Sequence, residues 1–122
     1  MNLCVLLGGG KSILYATTAF TLAWTHSVEK TRWEEDWRLT PRGLEIVEAR
    51  VEGSGAGMDI PPESRFDGRV WHYHPTLPPQ ERLALARSGR TGGSWQICFA
   101  GVCHDLPEEN PEQQPVLLSA CP

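Results

Sequence analysis

No stretch of this 122-residue chain is apolar for long enough to cross a bilayer. The most apolar part, MNLCVLLGGGKSILYATTAF at the N-terminus, is broken by three Gly and a Lys. It lacks both the basic start and the unbroken apolar stretch of a secretory leader. The expectation is therefore no signal peptide and no transmembrane segment, which makes the cytoplasm the default location, with a periplasmic or membrane-associated one as the alternative. A basic excess is also absent. The net charge of −4 gives no basic stripe, which argues against nucleic acid as a partner and against electrostatic adsorption to anionic lipid. Cysteine is sparse: Cys4, Cys98, Cys103 and Cys121 are too few and too scattered to make a disulfide framework. Helical periodicity and internal repeats are missing. So are a Ser–His–Asp order, a nucleophile elbow and paired carboxylates around a cleft. GGGKS at 8–12 has Val5 where a phosphate loop needs its first Gly, and it reads as a plain hairpin turn. No cofactor is implied.

Short apolar alternations between turn signals are what the chain does have. Forty per cent of its residues are apolar, five are Trp, and ten Pro and twelve Gly punctuate them. Period-two runs predict strands at 3–7, 12–16, 20–28, 32–39, 44–52, 69–74, 82–86, 95–99 and 102–106, although LPPQERLALARS also suits a helical turn. Many short strands with Gly/Pro turns predict an all-β protein, a single-domain antiparallel sandwich or small barrel built from hairpins over residues 1–106. Residues 107–122, with PEENPEQQP, read as a loose Pro/Glu-rich tail.

THSVEKTRWEEDW at 25–37 carries the densest chemistry. A four-residue EKTR loop pairs Val28 with Trp33, His26 with Glu35, Trp24 with Trp37 and Leu22 with Leu39, so that both apolar faces coincide. A two-residue loop keeps the faces but sets Glu35 opposite Trp24. The first register places an imidazole and a carboxylate together on the core side, as a pair that fixes register or titrates near neutrality. In the next hairpin, LTPRGL, Pro41 and Gly43 suit a three-residue turn pairing Trp37 with Val47, Glu35 with Ala49, Trp33 with Val51 and, on the outer face, Glu34 with Arg50. CFAGVC reads as a hairpin with Ala100-Gly101 at its tip. That brings Cys98 opposite Cys103 as a candidate disulfide, with two reduced thiols as the equal alternative. WHYHP puts His72 and His74 on one strand face, where a third ligand would make a metal site; ordinary strand histidines are the more economical reading. GSGAGM, with Gly55 and Gly57, reads as a flexible or tightly packed loop rather than an anion nest.

FTLAWTHSVEKTRWEEDWRL, EARVEGSGAGMDIPP, WHYHP and CFAGVC together resemble the small bacterial family called domain of unknown function 1850, over roughly residues 3–106. The resemblance implies a gene neighbourhood beside the fused permeases of TAXI-type TRAP transporters, which import organic acids with a separate substrate-binding protein. It supplies no catalytic residue. Some relatives carry an apolar N-terminal segment, from which this chain departs. The expected function is a non-catalytic accessory or binding module whose partner is the permease or its substrate-binding protein. Its binding residues would be His26, Glu29, Lys30, Glu35, Gly55, Gly57, His72 and His74, on loops carried by a rigid sheet. The alternative is a small metal-dependent or acid–base enzyme using His26, Glu35, His72 and His74.

Overall fold

A computed structural model describes residues 1–8, 10–25, 31–52, 63–85, 95–106 and 115–122. Eleven strands are formed among them: β1 (Asn2–Gly8), β2 (Lys11–Tyr15), β3 (Ala19–Thr25), β4 (Arg32–Thr40), β5 (Gly43–Glu52), β6 (Arg65–Phe66), β7 (Val70–Tyr73), β8 (Arg82–Leu85), β9 (Gln96–Phe99), β10 (Val102–Asp105) and β11 (Val116–Cys121). They build two antiparallel sheets, of order β2-β1-β11-β8 and β10-β9-β3-β4-β5-β7-β6. The sheets face each other as a sandwich and do not close into a barrel.

Alternation decides which side each strand buries. Leu3, Val5 and Leu7 of β1 and Val116 and Leu118 of β11 point inward from the smaller sheet. Phe20 and Leu22 of β3, Trp37 and Leu39 of β4, Leu44 of β5 and Ile97 of β9 meet them from the larger one. Period-two patterning on two facing sheets is what a sandwich core requires. Tyr15 packs edge-on against Phe99, with ring centroids 5.6 Å apart, and so bridges β2 of one sheet to β9 of the other.

Three sequence expectations are corrected here. Residues 116–121, set apart as part of a tail, form β11, an interior strand between β1 and β8. The helical turn allowed for LPPQERLALARS gives way to an isolated bridge, Leu44↔Gln80, followed by β8. The β3–β4 register matches neither predicted alternative. Phe20 lies opposite Trp37, Leu22 opposite Glu35 and Trp24 opposite Trp33. All three registers differ by even steps, so the apolar faces coincide in each of them, and face matching alone does not choose.

The β4–β5 hairpin keeps the predicted pairs Trp33↔Val51, Glu34↔Arg50 and Glu35↔Ala49. Its turn is shorter than expected: Thr40 pairs with Gly43, and Trp37 pairs with Ile46 in place of Val47. The difference is absorbed by a bulge at Val47, which is 43% exposed. The sequence demands that bulge. The inward residues Leu44 and Ile46 are followed by Ala49 and Val51, a change of phase; unbroken alternation would have turned Glu48 and Arg50 into the core.

Gly43 sits at φ +119°, and a Cβ there would lie 2.5 Å from the Gln80 carbonyl oxygen. That oxygen accepts from Leu44 N–H at 2.7 Å, and Gln80 N–H donates back to Leu44 O at 2.8 Å. Gly43→Ala therefore strains the backbone and pushes apart the bridge that seats Gln80 on β5. We expect a loss of about 2 kcal/mol or more, read as a lowered urea midpoint with an unchanged m-value.

Candidate functional site

Polar residues of the larger sheet's outer face are knitted to one another. The Arg50 guanidinium makes a two-pronged contact with Asp36, Nη1 to Oδ2 at 2.6 Å and Nη2 to Oδ1 at 2.7 Å, and donates through Nε to Glu34 Oε1 at 3.0 Å. Thr21 Oγ1 donates to Asp36 Oδ1 at 2.7 Å. Arg32 donates to Glu34 at 2.8 Å and to Gln96 at 3.0 Å, and Gln96 donates to Asp105 at 2.8 Å. The Arg50 hydrogen bonds hold the Asp36 carboxyl below the usual range and raise the guanidinium's own value. Burial pushes Glu34 upward, but the hydrogen bonds from Arg32 and Arg50 outweigh it and leave its carboxyl lowered. Bidentate charge-assisted contacts of this kind fix geometry as well as adding energy. A face whose charges already satisfy one another is better suited to tying strands together than to binding a ligand.

His72 joins this face at its β7 edge. Its Nδ1 meets Glu48 Oε1, and its Nε2 lies 2.8 Å from Asp67 Oδ2. Asp67 also accepts from the backbone N–H groups of Arg69 and Val70 in the β6–β7 turn. A neutral imidazole has one N–H, so serving two carboxylates requires the doubly protonated ring. Asp67, then Glu48, accordingly raises the His72 value above 6.5. His72, with help from the two N–H groups, lowers Asp67 from 3.8 to about 2. The signs follow by linkage. Stability from His72 is fully present below pH 6.5 and is lost as pH rises through the higher folded value. Stability from Asp67 is present above pH 3.8 and is lost as pH falls through about 2. Melting temperatures taken from pH 5.5 upward should fall through the His72 titration, and His72→Gln should flatten that part of the profile. A wild-type profile identical to that of His72→Gln would remove the clamp.

The other predicted site residues divide between places. Glu35 lies on the inward face, opposite Leu22 and Ala49, and accepts a hydrogen bond from Trp37 Nε1 at 3.2 Å. Burial raises its carboxyl above 4.5, opposed by that bond. Tyr73 lies beyond Ala49 on the same face; burial, then the charge of Glu35, raises its phenol. His72 lies opposite Arg50, on the other face from Glu35. His74, past the end of β7, bonds through Nδ1 to the carbonyl of the bulged Val47 at 2.8 Å. Glu35, His72 and His74 are therefore not one cluster, and Leu22, in place of the expected His26, lies opposite Glu35. His26, Glu29, Lys30, Gly55 and Gly57 lie outside the described residues. Among the described residues, no group of three or more His, Cys, Asp or Glu is placed to hold a metal ion. Cys98 and Cys103 are opposite each other in the β9–β10 hairpin, with Cα atoms 4.0 Å apart and their sulfurs bonded. Ala100 and Gly101 take φ 52° and 78° at its tip.

Indoles mark one end of the sandwich. Trp24 stacks on Trp33 with centroids 6.0 Å apart and meets Trp95 at 4.8 Å, all three half-buried. Trp71 packs on Phe66 at 4.8 Å nearby in register, one residue from the Val70↔Glu52 pair. Pairing explains why they gather. Thr25↔Arg32, Trp33↔Val51 and Ala23↔Gln96 bring the end of β3, the start of β4, the end of β5 and the start of β9 to the same edge. Segments 26–30 and 53–62 leave from the ends of β3 and β5, and segment 86–94 precedes Trp95 and the start of β9. The sequence reading saw Trp24 and Trp33 but missed Trp95, whose place depends on the β3–β9 pairing across more than 70 residues.

The profile of the family described as Domain of unknown function (DUF1850) matches residues 20–106. The chain belongs to this family. The match takes in all of the larger sheet but Ala19, together with β8, hence the Arg50 network, the His72 clamp and the indole end. β1, β2 and β11, three of the four strands of the smaller sheet, lie outside it. No curated protein and no solved structure matches the chain. Among the described residues, no helix is long and apolar enough to cross a membrane.

Proposed function

We propose that the protein is a non-catalytic accessory module that works beside a TRAP-type transporter of the TAXI class and docks through its indole end. The observation that supports this reading most directly is that two segments depart from the same end of the larger sheet. His26, Glu29 and Lys30 follow Thr25, and Gly55 and Gly57 follow Glu52, and both departures flank the half-buried Trp24–Trp33 stack. Trp is, with Tyr and Arg, one of the residue types enriched among side chains that dominate protein–protein binding energy. The transporter assignment rests on the family resemblance, and the partner is the permease or its substrate-binding protein. Two disulfides, Cys4–Cys121 and Cys98–Cys103, support an oxidising compartment, which favours the periplasmic side.

The test is co-purification. Tagged wild type and Glu29→Ala plus Lys30→Ala are each expressed with the TAXI-type permease, and separately with its substrate-binding protein. The reading expects one of the two partners to be retained by wild type and depleted with the double variant, whose circular dichroism stays native. Equal recovery with both forms would refute docking at that end. Blocking free thiols before and after reduction checks the compartment, since protein oxidised in the cell reacts only after reduction.

A further inference from the structure

A second surface lies on the outer side of the smaller sheet. There, a hollow of about 580 Å³ is bordered by the β1–β2 turn and by β11. Such a volume falls within the roughly 300–1,000 Å³ of small-molecule sites. Leu6 and Leu117, directly opposite each other on β1 and β11, form its apolar floor, and Leu6 is 47% exposed. Pro115 extends the apolar wall. Gly8 and Gly10, at φ 86° and 79°, make the turn that sets Lys11 opposite Gly8, and they leave the rim open because neither carries a Cβ. Among the described residues of the lining Lys11 is the one that carries a charge, and Ser12, opposite Leu6, supplies the hydroxyl beside it. Neither side chain has a hydrogen bond or an ion pair with another described residue.

We infer that this hollow binds a small aliphatic monocarboxylate, its tail on Leu6, Leu117 and Pro115 and its carboxylate on Lys11 and Ser12. Complementarity selects that class. One unpaired ammonium with one hydroxyl balances a single negative charge; a doubly charged phosphate would leave half its charge without a partner. The apolar floor gives a ligand a reason to leave water that acetate lacks, since each buried methylene contributes about 0.8 kcal/mol. A cationic amphiphile of the same length would meet Lys11 as a like charge. All of these residues lie outside the 20–106 family match, so the site would belong to this chain and not to the family as a whole. It is independent of the docking proposed at the indole end.

The experiment is a titration of the full-length oxidised protein with decanoate below its micelle concentration, followed by amide chemical shifts. Acetate, decyltrimethylammonium and phosphatidylglycerol vesicles are run in parallel. The expected result is saturable binding of decanoate alone, with shifts centred on Gly8, Lys11, Ser12 and Leu117. Lys11→Gln should weaken it about tenfold, as loss of one charge-assisted hydrogen bond would. Leu6→Ser, at an exposed position that leaves the core intact, should weaken it as well. The inference is overturned by the absence of saturation, by equal binding of the ammonium amphiphile, by shifts centred elsewhere, by indifference to Lys11→Gln, or by capture on vesicles without decanoate binding.

Discussion

Trp37→Ala should cost the fold about 3–5 kcal/mol, a large share of the 5–15 kcal/mol that holds a domain of this size together. Trp37 is 3% exposed and belongs to the central apolar cluster. It faces Phe20 on β3 and Ile46 on β5, immediately beside the bulge at Val47. Truncation there leaves a void between three strands of a sheet whose twist is already fixed by the bulge, so little relaxation can fill it. The indole has a second role, because its Nε1–H donates to Glu35 at 3.2 Å. Trp37→Phe separates the two roles: it retains most of the apolar contact and deletes the donor. Burial already raises Glu35 above 4.5, and the Trp37 bond opposes that rise. A raised carboxyl favours its protonated form in the fold, so Glu35 subtracts stability as pH climbs from about 4.5 through its folded value. In Trp37→Phe that decline should grow, whereas Glu35→Gln should abolish it. Urea unfolding at pH 4 and at pH 7 reads both effects. A cost below about 1 kcal/mol for Trp37→Ala would show that this indole is not in the core.

Inward faces were legible because alternation is a local property: Phe20, Leu22, Trp37, Leu39 and Ile97 could each be assigned from their own neighbours. Registers were legible only where a turn is short enough to dictate them. CFAGVC leaves two residues between its strands, and its pairs are those observed, Phe99 with Val102 and Cys98 with Cys103. THSVEKTR leaves more room, and registers two residues apart bury the same faces, so the observed Trp24↔Trp33 pair had no local signature. The bulge did have one. Leu44, Ile46, Ala49 and Val51 break phase between 46 and 49, and that break could have been used to reject the Trp37–Val47 pair. The clamp on His72 was beyond local reading. It needs β5 beside β7, across segment 53–62, to bring Glu48 near His72, and a turn at 67–70 to turn Asp67 back. β11 is the extreme case. VLLSAC is a plausible strand by composition, but a Pro/Glu-rich stretch precedes it, and its partner lies at the other end of the chain.

That long-range pairing is where reduction should act hardest. Cys4 and Cys121 are 117 residues apart in sequence and are joined across β1 and β11, next to the Asn2↔Cys121 and Cys4↔Ser119 pairs. Loop-closure entropy for a cross-link of that span is roughly 5 kcal/mol, against roughly 2 kcal/mol for the five-residue separation of Cys98 and Cys103. Topology adds to the contrast. β9 and β10 are held by their own two-residue turn, so the hairpin reforms locally without its sulfur bridge. β1 and β11 have no short connection, and β8 pairs only to β11 within that sheet, so opening the β1–β11 seam separates the smaller sheet into two halves. Cys4→Ser plus Cys121→Ser should therefore lower stability by about 2–5 kcal/mol, the range found on removing native disulfides from small domains. Cys98→Ser plus Cys103→Ser should lower it by less. Amide exchange should localise the difference, with β1, β2 and β11 losing protection in the first variant while β4 and β5 keep theirs, because their hairpin belongs to the other sheet. Equal losses for the two double variants, or protection lost first from β4 and β5, would mean that the two ends of the chain are held by their packing on Leu3, Val5, Val116 and Leu118 rather than by the sulfur clasp.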